Sequence, residues 1–205
     1  MIDGLIKDKI DPLWEAMATP LVKAGWSPNQ VTFAGLVLVV LVSLGYVWHG
    51  SPLIYGLALG VAFAFDALDG AVARRRDMRS LSGGYFDAVV DRYQELAVLG
   101  TLAYVHDVWI LALLAFSGSV LTSYAKARAA IEMPVSNENW PDFFERMERV
   151  IYLCLVLVLA GLLPAYKDGI VVAGLAGFAL LSHATALQRA RRAWGMLKVE
   201  DQSRK

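Results

Sequence analysis

The sequence predicts an all-α, polytopic membrane protein, with six transmembrane helices following an N-terminal amphipathic helix that lies in the membrane interface. Three observations predict it. First, the 205 residues are 57% hydrophobic with a mean hydropathy of +0.49, too apolar for an ordinary soluble domain. Second, apolar runs near the ~20 residues that a helix needs to cross the hydrocarbon occur six times. Third, of 19 Lys and Arg residues only Lys167 falls in a loop on one side of those runs. The 19 acidic residues bring the net charge to zero, so global charge points to no nucleic-acid partner. The single cysteine, Cys154, lies in an apolar run and implies no disulfide framework.

Residues 1–29 read as a juxtamembrane segment. Ile2, Leu5, Ile6, Ile10, Leu13, Trp14 and Met17 recur at helical spacing among charges, with Pro12 and Pro20 expected to interrupt the helix. Early charges at Asp3, Lys7, Asp8, Lys9 and Asp11 argue against a cleaved signal peptide. The spans then fall at about 31–49, 52–75, 82–105, 108–128, 146–166 and 169–192. Gly50-Ser51-Pro52, His106-Asp107 and 164–169 make the tight connections, and the longer loops 75–82 and 129–145 lie on the other side. With no repeat and no polar second domain evident, residues 1–205 read as one membrane domain.

Basic residues favour the cytoplasmic side of a membrane. Eighteen of the 19 lie on the side that also carries both termini. The expected location is therefore the cell membrane, multi-pass, with both ends in the cytoplasm. His49 and His106 mark the opposite ends of their spans, and His183 stands alone in the sixth, where a satisfied interior histidine is expected.

Charged groups at membrane depth are costly, so they are paired, solvated or functional. Asp66, Asp69, Asp87 and Asp91 recur at spacings of three and four on either side of a basic turn. On helices, residues so spaced share a face, giving two acidic pairs across a hairpin. Four carboxylates so placed repel one another unless a cation lies between them. An all-oxygen donor set without His or Cys suits a hard ion, Mg²⁺, Mn²⁺ or Ca²⁺. Four carboxylates on two helices suffice for the two-ion arrangement of phosphoryl-transfer sites. The competing reading, Asp–Arg pairs with Arg74 and Arg92 that merely register the helices, needs fewer acids than are present. Gly70, Gly83 and Gly84 flank the acids; without a Cβ they admit a phosphate or a neighbouring backbone, although glycines also pack membrane helices.

Residues Asp66, Asp69, Gly70, Ala73, Arg74, Gly83, Asp87 and Asp91 match D-x-x-D-G-x-x-A-R-x8-G-x3-D-x3-D, and the chain thereby resembles the CDP-alcohol phosphotransferase family. The resemblance implies a six-helix membrane bundle that dimerises. It also implies a cytosolic active site moving a phosphatidyl-type group from a CDP-linked lipid to an alcohol with release of CMP. It further implies two Mg²⁺ or Mn²⁺ ions on Asp66, Asp69, Asp87 and Asp91, with Asp91 also the catalytic base. Arg74 and Gly70 would touch the diphosphate or cytidine, and Ala73 and Gly83 complete the CDP-lipid surface. Pro28, Asn29 and Thr32 resemble the family's P-N-x-x-T element, which encloses the nucleotide; by itself the segment reads as a helix start capped by Ser27 or Asn29.

Cations at three span ends suggest the acceptor. Lys126 and Arg128 close the fourth span, Arg146 and Arg149 open the fifth, and Arg189 ends the sixth. Each alone fits the positive-inside bias or a lipid headgroup; together they would form an anion pocket, with Arg suited to bidentate phosphate contact. A phosphorylated polyol needs such a pocket, whereas serine or ethanolamine does not. The elements Ser123-Tyr124-Ala125-Lys126-Ala127-Arg128-Ala129 and Glu145-Arg146-Met147-Glu148-Arg149 are similar to those of the branch making phosphatidylinositol phosphate or archaetidylinositol phosphate from inositol 1-phosphate. In that branch an acid typically follows K-A-R-A; here Ala130 and Ile131 precede Glu132. The donor is thus expected to be CDP-diacylglycerol or CDP-archaeol. A glycerol 3-phosphate acceptor is the alternative within the family. A divalent-cation transporter is the remote alternative, disfavoured because the acids cluster on one side.

Overall fold

The structure is a computed structural model that describes residues 2–133, 135, 140 and 142–203, with 2–11 and 203 as backbone. Its elements among these residues are all helical: α1 Ile2–Lys23, α2 Pro28–His49, α3 Pro52–Asp66, α4 Leu68–Arg75, α5 Leu81–His106, α6 Trp109–Glu132, α7 Arg146–Leu162 and α8 Lys167–Ser203. A 3₁₀ turn, Pro164–Tyr166, joins the last two. Among the described residues four helices are long and apolar enough to cross a membrane: Pro28–His49, Pro52–Arg75, Trp109–Glu132 and Pro164–Gln202. The protein is thus a multi-pass membrane protein. Two expected spans fall short of that standard for visible reasons: α5 carries Asp87, Asp91, Arg92 and Glu95, and α7 has only 17 residues.

Three boundaries differ from expectation. Pro12 and Pro20 lie inside one continuous α1. A proline normally disfavours a helix interior, but tertiary packing outweighs it: Trp14, Ala18, Leu21 and Val22 pack on Val31, Leu68, Ala71 and Val72. The side chains of Ile2, Leu5, Ile6 and Ile10 lie outside the described residues. The second span is interrupted at Ala67, between Asp66 and Asp69. And α8, with 37 residues, is about 55 Å long at 1.5 Å per residue, well beyond the ~30 Å of hydrocarbon.

Local chemistry sets the helix ends. Ser27 caps α2 through Gln30 N, and the Gln30 side chain accepts from Ser27 N at 2.8 Å, completing a capping box. After α4 the chain reverses through Asp77 at φ 52°, with Met78 N donating to Ala73 O at 3.0 Å; Asp tolerates this left-handed position better than most residues. The basic turn here also fastens α1. Arg75 reaches Glu15 O and Thr19 Oγ1, and Arg76 reaches the carbonyls of Gly25 and Trp26.

The core lies where α2, α3, α5, α7 and α8 meet, around Val39, Leu59, Leu99, Leu102, Leu157 and Leu175. At the end of the bundle remote from the acids, Tyr46 stacks on Tyr55 at 4.3 Å and its hydroxyl lies 2.7 Å from His106 Nε2. The other ring nitrogen of His106 lies 2.9 Å from Asp168, so α2, α5 and α8 are tied there by polar contacts. His183, half-buried, has its Nε2 3.1 Å from Leu114 O; it is satisfied as the sequence suggests, but beside a groove and not in the interior.

Candidate active site and metal centre

The break at Ala67 and the start of α5 bring the four acids together. Asp66 ends α3, Asp69 lies in the first turn of α4, and Asp87 and Asp91 are one turn apart on α5. One oxygen from each of Asp66, Asp87 and Asp91 lies within 4.8 Å of the others. Asp69 stands near Asp87 and accepts from Thr32 Oγ1 at 2.6 Å. Thr32, expected on the nucleotide side, therefore also orients a carboxylate.

Asp66, 2% exposed, accepts from Gln94 Nε2 at 3.0 Å through one oxygen and from Arg146 Nη2 at 2.7 Å through the other. Asp91 Oδ1 has Arg146 Nη2 at 2.7 Å as an ion-pair partner but is buried without a hydrogen bond among the described residues. An under-satisfied buried carboxylate oxygen in an all-oxygen set fits a hard divalent cation. The residues present therefore suit a Mg²⁺ or Mn²⁺ site.

Gly35 on α2 makes this placement possible. A Cβ there would collide with Asp66 Oδ1 and lie 2.9 Å from Asp66 Cβ. Replacing Gly35 with Ala is expected to displace Asp66, destabilise the protein by ~1–3 kcal/mol through overpacking, and weaken Mn²⁺ binding. Calorimetry and Mn²⁺ titration of purified protein check both effects. On the other flank, a Cβ on Gly83 would sit 3.4 Å from Asn29 Oδ1, which places the start of α5 against the Pro28–Thr32 segment. A Cβ on Gly70 would meet only Arg74 Nη1, at 3.7 Å, and Ala73 lies in the same α4 turn. Arg74 itself lies 3.9 Å from Glu15 on α1.

The predicted cations separate into groups. Arg146 joins the acids. Arg149, fully buried, is held by Glu95 Oε1 through Nε and Nη2 at 3.2 and 2.9 Å. Arg189 donates to Asp142 at 2.7 Å and to Glu145 at 3.1 Å. It also donates to Thr122 O on α6 at 2.7 Å, and Arg149 Nη1 donates to Phe144 O, beside Glu145, at 3.2 Å, so the ends of α6, α7 and α8 meet there. Arg128 instead pairs with Glu132 at 2.6 Å and lines an open groove of about 740 Å³ between α6 and α8 with Tyr124, His183 and Leu187. That groove contains none of the four acids.

The sequence pattern of CDP-alcohol phosphatidyltransferases matches residues 26–187. The chain belongs to that family. An archaetidylinositol phosphate synthase of Pyrococcus horikoshii is 31% identical over 195 residues, covering 95% of this chain and 97% of that protein. A phosphatidylinositol phosphate synthase of Mycobacteroides abscessus is 29% identical over 168 residues, covering 78% and 73%. The crystal structure of Mycobacterium tuberculosis phosphatidylinositol phosphate synthase with CDP-DAG bound superposes with a TM-score of 0.75 at 26% identity, covering 89% of this chain and 94% of that one. The same protein has been crystallised with manganese and citrate, again at a TM-score of 0.75 and 26% identity, covering 88% of each chain.

Several residues of the site are not singled out by spacing alone. Gln94 and Glu95 continue the face of Asp87 and Asp91 at three and four residues further, and that periodicity was the available signal. Asp142, wholly buried on Arg189 and Arg192, has no sequence signal, because its role depends on where the loop returns.

Proposed function

We propose that this phosphatidyl-transferring enzyme uses inositol 1-phosphate as acceptor and CDP-diacylglycerol or CDP-archaeol as donor, releasing CMP in phospholipid biosynthesis. The observation that carries this reading is the adjacency of two unlike clusters. Buried and half-buried carboxylates stand on α3, α4 and α5; beside them Arg149 on α7 is held by Glu95, one turn beyond Asp91, and Arg189 on α8 bonds to Thr122 O, one turn before Lys126 on α6. Relatives named as archaetidylinositol phosphate and phosphatidylinositol phosphate synthases support the same choice.

Asp66, Asp69, Asp87 and Asp91 would hold two divalent ions, Mg²⁺ or Mn²⁺, which supply charge neutralisation to the pyrophosphate and its leaving group. Pro28, Asn29, Thr32, Gly70, Ala73, Arg74 and Gly83 border the position of the CDP moiety, and Asp91 accepts the proton of the attacking hydroxyl. Lys126, Arg149 and Arg189 receive the acceptor's phosphate, with Arg146 between the two clusters. Arg128, on its groove with Glu132, is the outlying member of that set. We also assign all six spans to one domain, α5 and α7 completing the four evident ones. Because basic residues favour the cytoplasmic side, we place the active site and both termini in the cytoplasm, and we take the functional unit to be a homodimer among membrane lipids.

CMP release by purified protein tests the acceptor. Each CDP-lipid is supplied with inositol 1-phosphate or glycerol 3-phosphate in Mn²⁺. Turnover with inositol 1-phosphate is expected, and turnover with glycerol 3-phosphate alone would sink the reading. Lys126→Ala should raise the acceptor's KM about tenfold while changing that of the CDP-lipid little, as loss of one charged phosphate contact predicts. Equal shifts in both constants would place Lys126 elsewhere.

A further inference from the structure

Arg146 differs from the other cations in what it touches and how freely it is held. Its Nη2 lies 2.7 Å from Asp66 Oδ2, 2.7 Å from Asp91 Oδ1 and 2.6 Å from Gln94 Oε1. A terminal guanidinium nitrogen has two N–H groups to give. They go to Asp66 and Gln94, leaving Asp91 Oδ1 with charge but no hydrogen bond. Gln94, fully buried, donates to the second oxygen of Asp66 and so keeps acid and guanidinium in register.

Two of the three carboxylates best placed to grip a divalent ion are therefore already facing a positive charge. A dication on Asp66 and Asp91 would stand in contact with that guanidinium in a poorly hydrated site, where like charges repel strongly. The Arg146 side chain remains 30% exposed, whereas Arg149 and Arg189 are 3% and 7% exposed and fixed on their own acids. Arg146 alone of the three has both a reason to leave its carboxylates and a solvated side through which to turn.

We infer that Arg146 is an exchangeable counter-charge: it holds Asp66 and Asp91 until a divalent cation takes them, and the released guanidinium then binds the acceptor's phosphate. The acceptor half rests on the proposed function above; the competition with the metal does not. The exchange makes binding reciprocal, since any phosphate that draws Arg146 away must favour the cation to the same extent that the cation favours the phosphate.

Mn²⁺ titration followed by electron paramagnetic resonance tests this in the full-length protein in detergent, with no CDP-lipid present. Arg146→Gln should bind Mn²⁺ about tenfold more tightly than the native protein, within the usual range of couplings between sites. In the native protein inositol 1-phosphate should tighten Mn²⁺ binding by a similar factor, and in Arg146→Gln that response should vanish. Unchanged or weaker Mn²⁺ binding by the variant overturns the competition, whatever the CMP-release assay reports. A response that survives in the variant overturns the hand-over to phosphate, because the acceptor would then act on the ion without Arg146. If Arg146→Gln does not fold, Arg146→Met decides instead: it keeps an unbranched side chain but carries no charge, so it too must bind Mn²⁺ more tightly than the native protein.

Discussion

Asp91→Asn is expected to lower kcat for CMP release by ~10²–10⁴-fold, the usual contribution of a positioned general base, while the KM for CDP-lipid changes little. The substitution keeps the size of the side chain but removes its charge, and with it the ability to take a proton. Asp91 is suited to that role by its setting, being 8% exposed with an oxygen that no hydrogen bond among the described residues engages. Asp87, one turn earlier, provides the comparison. If Asp91 serves chiefly as base, Asp91→Asn loses less Mn²⁺ affinity than Asp87→Asn; equal losses in both would make Asp91 chiefly a ligand. Chelation should abolish CMP release in native protein, with Mn²⁺ or Mg²⁺ restoring it.

The acids were legible because their chemistry is unusual for their surroundings. Apolar helices do not carry Asp66, Asp69, Asp87 and Asp91 at helical spacing without a use for them, and the structure brings these residues together. Helix positions were legible for the same reason: long apolar runs tolerate few alternatives in a membrane. What periodicity could not convey was the detail that depends on contacts between elements. Pro12 and Pro20 suggested an interrupted segment, but the face formed by Trp14, Ala18 and Leu21 holds α1 intact. Gly35 looked like any glycine in an apolar helix; only the approach of α3 makes it the space that Asp66 occupies. The cations were visible individually, but not the acids that answer them. Glu95, Asp142, Glu145 and Glu132 each engage an arginine, so the basic side of the site is a set of ion pairs and not a pool of unpaired charge.

That pairing changes what removal of Arg149 should do. As an acceptor ligand alone, Arg149→Ala would raise one KM and leave the fold intact. Glu95, however, is itself buried, and it receives Arg149 through two nitrogens, Arg92 Nη1 at 3.0 Å and the Ser119 hydroxyl. Truncating Arg149 leaves a carboxylate with reduced compensation at the junction of α5, α6 and α7, and breaking a buried pair from one side typically costs ~3–5 kcal/mol. Arg149→Ala is therefore expected to lower the denaturation midpoint markedly as well as the activity. Glu95→Gln combined with Arg149→Ala removes the stranded charge and should recover much of the stability. The recovered double variant then exposes the substrate role by itself. An acceptor KM that stays raised by tenfold or more, with the CDP-lipid KM near native, marks Arg149 as a phosphate contact. If both constants return to native values along with the fold, Arg149 serves the helix junction and Lys126 and Arg189 carry the acceptor.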